Sequence, residues 1–256
     1  EGSLAFLVEL GVPLLKIPSG ELTNGPLLWR SARTHKPLVV STGMAMLSEV
    51  EQGLAVIAHA LSHDREPASM DEVWQAWSQP AARRALAGHV TLLHCTSQYP
   101  TPMHEVNLRS MDTLADAFGL AVGYSDHTEG ILVPTAAVAR GAVLIEKHFT
   151  LDRAMPGPDH RASLEPTELT AMVSNIRAVQ QLLGARDKVP QPSEWDTRRA
   201  ARHQVVAARP VAAGATFTRD DLTTRRSAKG LPATALWELV GRPAAKAYEA
   251  GDLVGP

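Results

Sequence analysis

The sequence predicts an α/β protein built on a parallel sheet, followed by a small β-rich second domain. Three observations predict it. A unit of short apolar run, polar turn and amphipathic helix recurs five times between Leu14 and Leu183. Such alternation implies crossover helices and a parallel sheet, either doubly wound or closed into a barrel. All five apolar runs end in polar or ionisable residues, and function gathers at C-terminal strand ends in a barrel. After about Arg186 the rhythm gives way to short β runs and turns. No dinucleotide glycine fingerprint follows any strand, which counts against a doubly wound nucleotide-binding sheet.

Leu4, Phe6, Leu7 and Leu10 fall at helical spacing, with Gly11 closing the helix. Leu14–Ile17 reads as a buried strand that runs into Pro18-Ser19-Gly20. A helix follows around Pro26–Thr34, proline near its first turn, and then the strand Leu38–Val40. Leu47, Val50, Leu54, Ile57 and Leu61 step by threes and fours along one helix face. Ser62–Ala87 breaks the pattern and reads as a partly helical surface insertion. Val90–Leu93 is the next strand, and Leu108, Met111, Leu114 and Phe118 mark the helix after it. The runs Leu120–Gly123 and Ala142–Ile145 are the last two strands, separated by a helix over Ile131–Arg140. Pro166 opens a final helix that Gly184 closes. Beyond a linker at 187–202, the runs Gln204–Ala208, Pro210–Gly214, Thr216–Phe217 and Leu222–Thr224 make up a β-rich domain over 203–256. The tryptophans Trp29, Trp74, Trp77, Trp195 and Trp237 read as packing residues.

With 45% hydrophobic and 20% charged residues, the 256-residue chain has an ordinary globular composition. A net charge of −2 gives no basic field for nucleic acid. No apolar run is long enough to span a bilayer. The single Cys95 excludes an internal disulfide framework and suits a reducing cytoplasm.

The polar strand ends carry the chemistry. Lys16, Ser19, Ser41, Ser97 and Ser125 place one ammonium and four hydroxyls on neighbouring strand ends, a set that suits a phosphate or carboxylate. Any one of these serines alone reads as a solvated turn residue. Glu21, Tyr99 and Asp159 are further polar candidates on the same rim, and Asp159 equally fits an Asx-type turn. His127 and His148 each follow an apolar strand run, so both imidazoles sit at or past a strand end. Two neutral imidazoles held together suit a divalent metal; a turn cap and a core histidine are the alternative. His94 lies within a strand run and reads as packed, and His160 has no evident partner.

Six motifs then stand in order: Lys16-Ile-Pro-Ser-Gly-Glu21, Ser41-Thr-Gly-Met44, Leu93-His-Cys-Thr-Ser-Gln-Tyr-Pro-Thr-Pro102, Gly123-Tyr-Ser-Asp-His-Thr128, Glu146-Lys-His-Phe-Thr150 and Pro156-Gly-Pro-Asp-His-Arg-Ala-Ser-Leu-Glu165. Together they resemble the N-acetylneuraminate (sialic acid) synthase family, including its legionaminic acid branch. The C-terminal region resembles that family's antifreeze-like, or SAF, domain. The resemblance implies the last five strands of a (β/α)8 TIM barrel over 1–186 and a SAF domain over 203–256. It further implies condensation of phosphoenolpyruvate with an open-chain N-acyl hexosamine, giving a nine-carbon 2-keto acid and phosphate. Position by position, Lys16, Ser19, Ser41, Ser97 and Ser125 would hold phosphoenolpyruvate. Glu21, Tyr99 and Asp159 would contact the sugar, and His127 and His148 would bind manganese or magnesium. Arg226 matches the arginine that reaches the sugar across a domain-swapped homodimer.

Three departures accompany the resemblance. The family's first-strand acid/base glutamate, a second phosphate-binding lysine and a sugar-binding asparagine would lie upstream of Glu1. Ser227-Ala228-Lys229-Gly230 replaces a Pro-Gly-x-Gly turn after Arg226, and Ser97 stands where some members have asparagine. An inactive fragment that keeps its ligand-binding groups, or a pseudaminic acid synthase, are the alternative functions.

Overall fold

The computed structural model describes residues 2–255. They divide into two compact units, one ending at Gly184 and the other beginning at Ala185.

The first unit opens with α1 (Gly2–Glu9) and alternates thereafter: β1 (Leu15–Ile17), α2 (Gly25–Arg33), β2 (Leu38–Ser41), α3 (Leu47–Ser62), α4 (Met70–Ser78), α5 (Pro80–Arg84), β3 (Val90–His94), α6 (Ser110–Phe118), β4 (Ala121–Asp126), α7 (Leu132–Ala139), β5 (Ile145–Lys147) and α8 (Pro166–Leu183). The five strands lie in the order β1-β2-β3-β4-β5, and every pairing is parallel. The register sorts their side chains into two faces. Ile17, Val40, Leu92 and Val122 form one layer, buried against the helices. Lys16, Ser41, Gly123, Ser125 and Glu146 alternate with that layer and belong to the opposite face.

The sheet is strongly curled. Strands β1 and β5 are its two edges, about 19 Å apart if five strands lay flat at the usual spacing. Yet Lys16 Nζ of β1 stands 3.3 Å from Glu146 Oε2 of β5. A lysine and a glutamate cannot bridge a flat sheet of that width, so the strands wrap into a half-barrel with Lys16 and Glu146 on its concave side. Gly123 is part of this closure, because a Cβ there would lie 2.4 Å from the Leu144 carbonyl oxygen.

Three expectations need correction. The last two strands run further towards their histidines than Leu120–Gly123 and Ala142–Ile145; they end at Asp126 and Lys147. Apolar periodicity stops short there, because the final strand residues are polar yet paired with one another. The insertion is docked: Val73, Ala82 and Leu86 join the core around α3, and Trp77 Nε1 donates to Glu51 at 2.9 Å. Trp29 and Trp77 pack as expected, but Trp74, Trp195 and Trp237 do not, and Trp237 is 75% exposed. Its helix α10 (Leu236–Leu239) is a single turn that buries Leu236, leaving the neighbouring tryptophan outside.

In the second unit, η-type turns and α9 (Trp195–Ala201) occupy much of the expected linker span. Strands β6 (His203–Ala207) and β7 (Leu222–Arg226) pair antiparallel around Val205, Phe217, Leu222 and Tyr248. The runs near Val211 and Thr216 contribute single bridges, to Tyr248 and Pro243, rather than strands. Asp221 ties the turn before β7: its carboxylate accepts from Thr218 N and Oγ1, both at 2.7 Å, and from Arg209 Nε at 2.6 Å. No described helix is long and apolar enough to cross a membrane.

Candidate functional site

At the C-terminal ends of β1 to β3 the backbone turns sharply, and small polar side chains converge on one point. Gly43 N donates to Ser19 Oγ at 3.0 Å, and Ser19 Oγ lies 3.2 Å from Cys95 Sγ. A Cβ at Gly43 would meet Ser97 Oγ at 2.3 Å and both Cys95 Sγ and Ser19 Oγ at 2.8 Å. The absence of a side chain at this one position, just past β2, is what lets three polar tips from the segments after β1 and β3 gather there. Ser41, two residues earlier, is buried, and its Oγ has no partner among the described residues. A buried hydroxyl without a partner costs free energy, so it is poised for an acceptor the chain does not itself supply.

A second cluster lies on the concave side. Ser125 Oγ donates to Glu146 Oε1 at 2.6 Å, while Glu146 Oε2 pairs with Lys16 Nζ. Four of the five residues expected to hold an anion therefore occupy two subclusters, Ser19 and Ser97 around Gly43 and Lys16 with Ser125 around Glu146, while the Ser41 hydroxyl belongs to neither. Glu146, Cys95 and Gly43 were not among the candidates. Glu146 lies just past the expected strand Ala142–Ile145, so alternation along that strand did not reach it; the observed strand, which ends at Lys147, places it inward and Lys147 outward.

His127 and His148 come together directly past β4 and β5. Their ring centroids lie 5.4 Å apart, edge to face, and the Tyr99 ring sits 4.1 Å from His127 and 5.4 Å from His148. The Thr96 carbonyl oxygen lies 2.7 Å from His127 Nδ1, which assigns the proton to Nδ1 and leaves a lone pair on Nε2. Burial holds the His127 pKa below its usual value; the Thr96 hydrogen bond opposes this, and the charge of a protonated His148 adds to it. His127 is thus a neutral imidazole with a fixed tautomer. That is the condition a ligating histidine needs, its second nitrogen donating to a carbonyl. Among the described residues no third His, Cys, Asp or Glu completes a metal cluster. The donor set fits a divalent ion with two protein ligands and its other positions left to substrate and water.

Burial raises the Tyr99 pKa, and the charges of Cys95, Asp159 and Glu146 act in the same direction. The phenol therefore shares a neighbourhood with Asp159, which lies exposed in the turn before the η-type segment His160–Ala162. Glu21 sits on the turn after β1, where its carboxylate accepts from Asn24 Nδ2 at 2.6 Å; no contact joins it to Tyr99 or Asp159. Arg226 is an exposed residue at the end of β7 in the second unit. His94 is packed as expected, with Nε2 2.8 Å from the Val106 carbonyl oxygen. His160 does have a partner, Thr150 Oγ1 at 2.7 Å, which braces the turn carrying Asp159.

Comparison with known proteins agrees with the fold. Residues 1–188 match the NeuB family and residues 204–256 the SAF domain. An N,N'-diacetyllegionaminic acid synthase of Campylobacter jejuni is 43% identical over 252 residues, covering 98% of this chain and 69% of that protein. Its counterpart in Legionella pneumophila is 42% identical over 241 residues, covering 94% of this chain and 62% of that protein. Among solved structures, the N-acetylneuraminic acid (sialic acid) synthetase of Leptospira borgpetersenii superposes with a TM-score of 0.62 at 33% identity, over 76% of this chain and 59% of that one. The chain thus spans roughly two thirds of the length of such relatives, and it belongs to the NeuB family, with a SAF domain at its C-terminal end.

Proposed function

We propose that this chain carries the metal- and phosphoenolpyruvate-binding part of a synthase that joins phosphoenolpyruvate to an N-acyl hexosamine. The observation that carries the reading is the concave face itself. An ammonium, four serine hydroxyls and two adjoining imidazoles lie at the strand ends of one half-barrel, and this supports the reading. The family supports the reaction class, and the two legionaminic acid synthases favour a 2,4-diacetamido-trideoxyhexose over N-acetylmannosamine.

In this reading Lys16, Ser19, Ser41, Ser97 and Ser125 hold the phosphate and carboxylate of phosphoenolpyruvate. An entering anion replaces Glu146 as the partner of Lys16 and fills the space above Gly43. Tyr99, Asp159 and Glu21 bind sugar hydroxyls, and Arg226 adds a cation from the SAF domain of a partner subunit in a homodimer. His127 and His148 hold manganese or magnesium, whose chemistry is to polarise the sugar aldehyde. A carbon–carbon bond forms between the methylene carbon of phosphoenolpyruvate and the aldehyde carbon. Water supplies the new oxygen on the adjacent carbon, and phosphate leaves. In this reading the enzyme works in the cytoplasm.

The test is a panel of N-acyl hexosamines incubated with phosphoenolpyruvate and the protein, reading phosphate and the product mass. Phosphate and a nine-carbon 2-keto acid should appear only with an N-acyl hexosamine and a divalent metal. Equal phosphate release without sugar, or after chelation, contradicts the proposal.

A further inference from the structure

One residue beyond Ser125 and Glu146, on the opposite face of the same two strands, lies a second ionic pair. Lys147 Nζ stands 2.7 Å from Asp126 Oδ2, and the two side chains are 3% and 0% exposed. Asp126 and Lys147 are register partners at the very end of the β4–β5 ladder. The layer they belong to is otherwise apolar or aromatic, with Val122, Tyr124 and Ile145 next along it. A pair of charges so fully removed from water is poor value for stability, since apolar residues of the same volume usually serve as well or better. Its retention calls for another role, and its surroundings indicate one.

The same two side chains also hold the backbone past His127. Asp126 Oδ1 accepts from Thr128 N at 3.0 Å and from Thr128 Oγ1 at 2.8 Å. Lys147 Nζ donates in addition to the Thr128 carbonyl oxygen. His127 is therefore flanked by Asp126 and Thr128, both of which are bonded to Lys147, and Lys147 is the residue before His148. Three side chains triangulate two short segments that each carry one imidazole. Among the described residues, the one ring-nitrogen hydrogen bond to either histidine is that of His127 Nδ1 to the Thr96 carbonyl oxygen.

We infer that Asp126 and Lys147 are a buried positioning pair that sets the separation and orientation of His127 and His148. They touch neither substrate nor metal. Their effect passes through the backbone of the two strand ends. The inference rests on the proposed metal site for its functional meaning, while the ring geometry it concerns is independent of any metal.

The test is the double variant Asp126→Asn/Lys147→Met, which removes both charges while keeping shape and the Thr128 acceptor. Two readouts are taken on the folded protein: Mn2+ affinity by water-proton relaxation, and the ring-to-ring nuclear Overhauser effect between His127 and His148 in histidine-labelled protein without metal. Loss of an outer partner of a metal ligand typically weakens binding 10- to 100-fold, so Mn2+ affinity should fall at least about tenfold. The ring-to-ring signal should weaken or vanish. A folded double variant with unchanged affinity and an unchanged ring signal overturns the inference. If that variant does not fold, Thr128→Val removes one hydrogen bond to Asp126 and should weaken Mn2+ binding by about fivefold; unchanged affinity in this folded variant overturns the inference as well. His148→Ala separates the two ideas. If it binds Mn2+ as wild type does, the metal site is wrong, and the ring signal alone then decides the positioning role.

Discussion

Strand β5 carries two ionic pairs at adjacent residues, Glu146 with Lys16 of β1 and Lys147 with Asp126 of β4, and the pairs differ in almost every physical respect. On the concave face Ser125 and Lys16 meet Glu146, with the Lys16 and Glu146 side chains 30% and 37% exposed. On the helix-facing side Asp126 and Lys147 are sealed from water. The first arrangement is open, exchangeable and surrounded by hydroxyls, so a ligand can compete for its members. The second is closed, and every acceptor in it is already matched. Strand alternation alone separates them: neighbouring residues of one strand end face the concave side or the helices by which way they point.

The comparison can be broken most sharply from the buried side. Asp126→Leu alone strands the Lys147 ammonium in the interior and should lower stability by about 3–5 kcal/mol. Urea unfolding measures this, and a loss no larger than that of an exposed pair would erase the contrast. Next in size comes the cradle. Gly43→Ala places a methyl group against Ser97, Cys95 and Ser19, forcing shifts of the order of an ångström in two of the groups proposed to bind the anion. Turnover with phosphoenolpyruvate should fall on the order of 10²-fold, by the usual cost of such a misplacement. On the open side, Glu146→Gln should change stability by less than about 1 kcal/mol, the usual range for a solvent-exposed pair. A larger loss in the same urea experiment would mean that Glu146 is architectural after all.

The smallest effect is in the second unit and depends on pH. Hydrogen bonds from Thr218, first through its hydroxyl and then its backbone N–H, together with Arg209, lower the Asp221 pKa from 3.8 to about 2. A carboxylate whose folded-state pKa is depressed contributes stability above its unfolded value, and this is lost as pH falls towards the folded one. The contribution is therefore full above about pH 4 and disappears towards about pH 2. In Asp221→Asn, the acid limb of the unfolding profile should flatten across that window, as read by circular dichroism.

Much of the half-barrel was legible because its strands are apolar and its helices periodic, and both signals are local. The polar strand ends were legible as a set for the same reason: each interrupts an apolar run. What escaped was direction. With the last strand placed at Ala142–Ile145, Glu146 and Lys147 fell outside it, and no alternation could assign one inward and the other outward. Cys95 carried only a redox meaning until the fold set its sulfur beside Ser19. Glu21 was read as a rim residue and given its sugar role by resemblance, Arg226 was matched by resemblance alone, and among the described residues no contact within either unit reaches from them to the other sugar candidates. The exposed Trp195 and Trp237 show the limit of hydrophobicity as a guide to burial in short helices. Trp195 lies against the Arg198 guanidinium at 5.4 Å, and one-turn helices have too few positions to bury every apolar residue.

The central claim is that the concave face binds the anion, and Lys16→Met tests it most directly. Phosphoenolpyruvate binding to wild type and variant is measured by isothermal titration, with thermal unfolding as the control. The account predicts that affinity falls by more than about tenfold, the loss of a charge-assisted contact, while the unfolding midpoint stays within a few degrees. Undiminished binding of phosphoenolpyruvate by a folded Lys16→Met protein would contradict it.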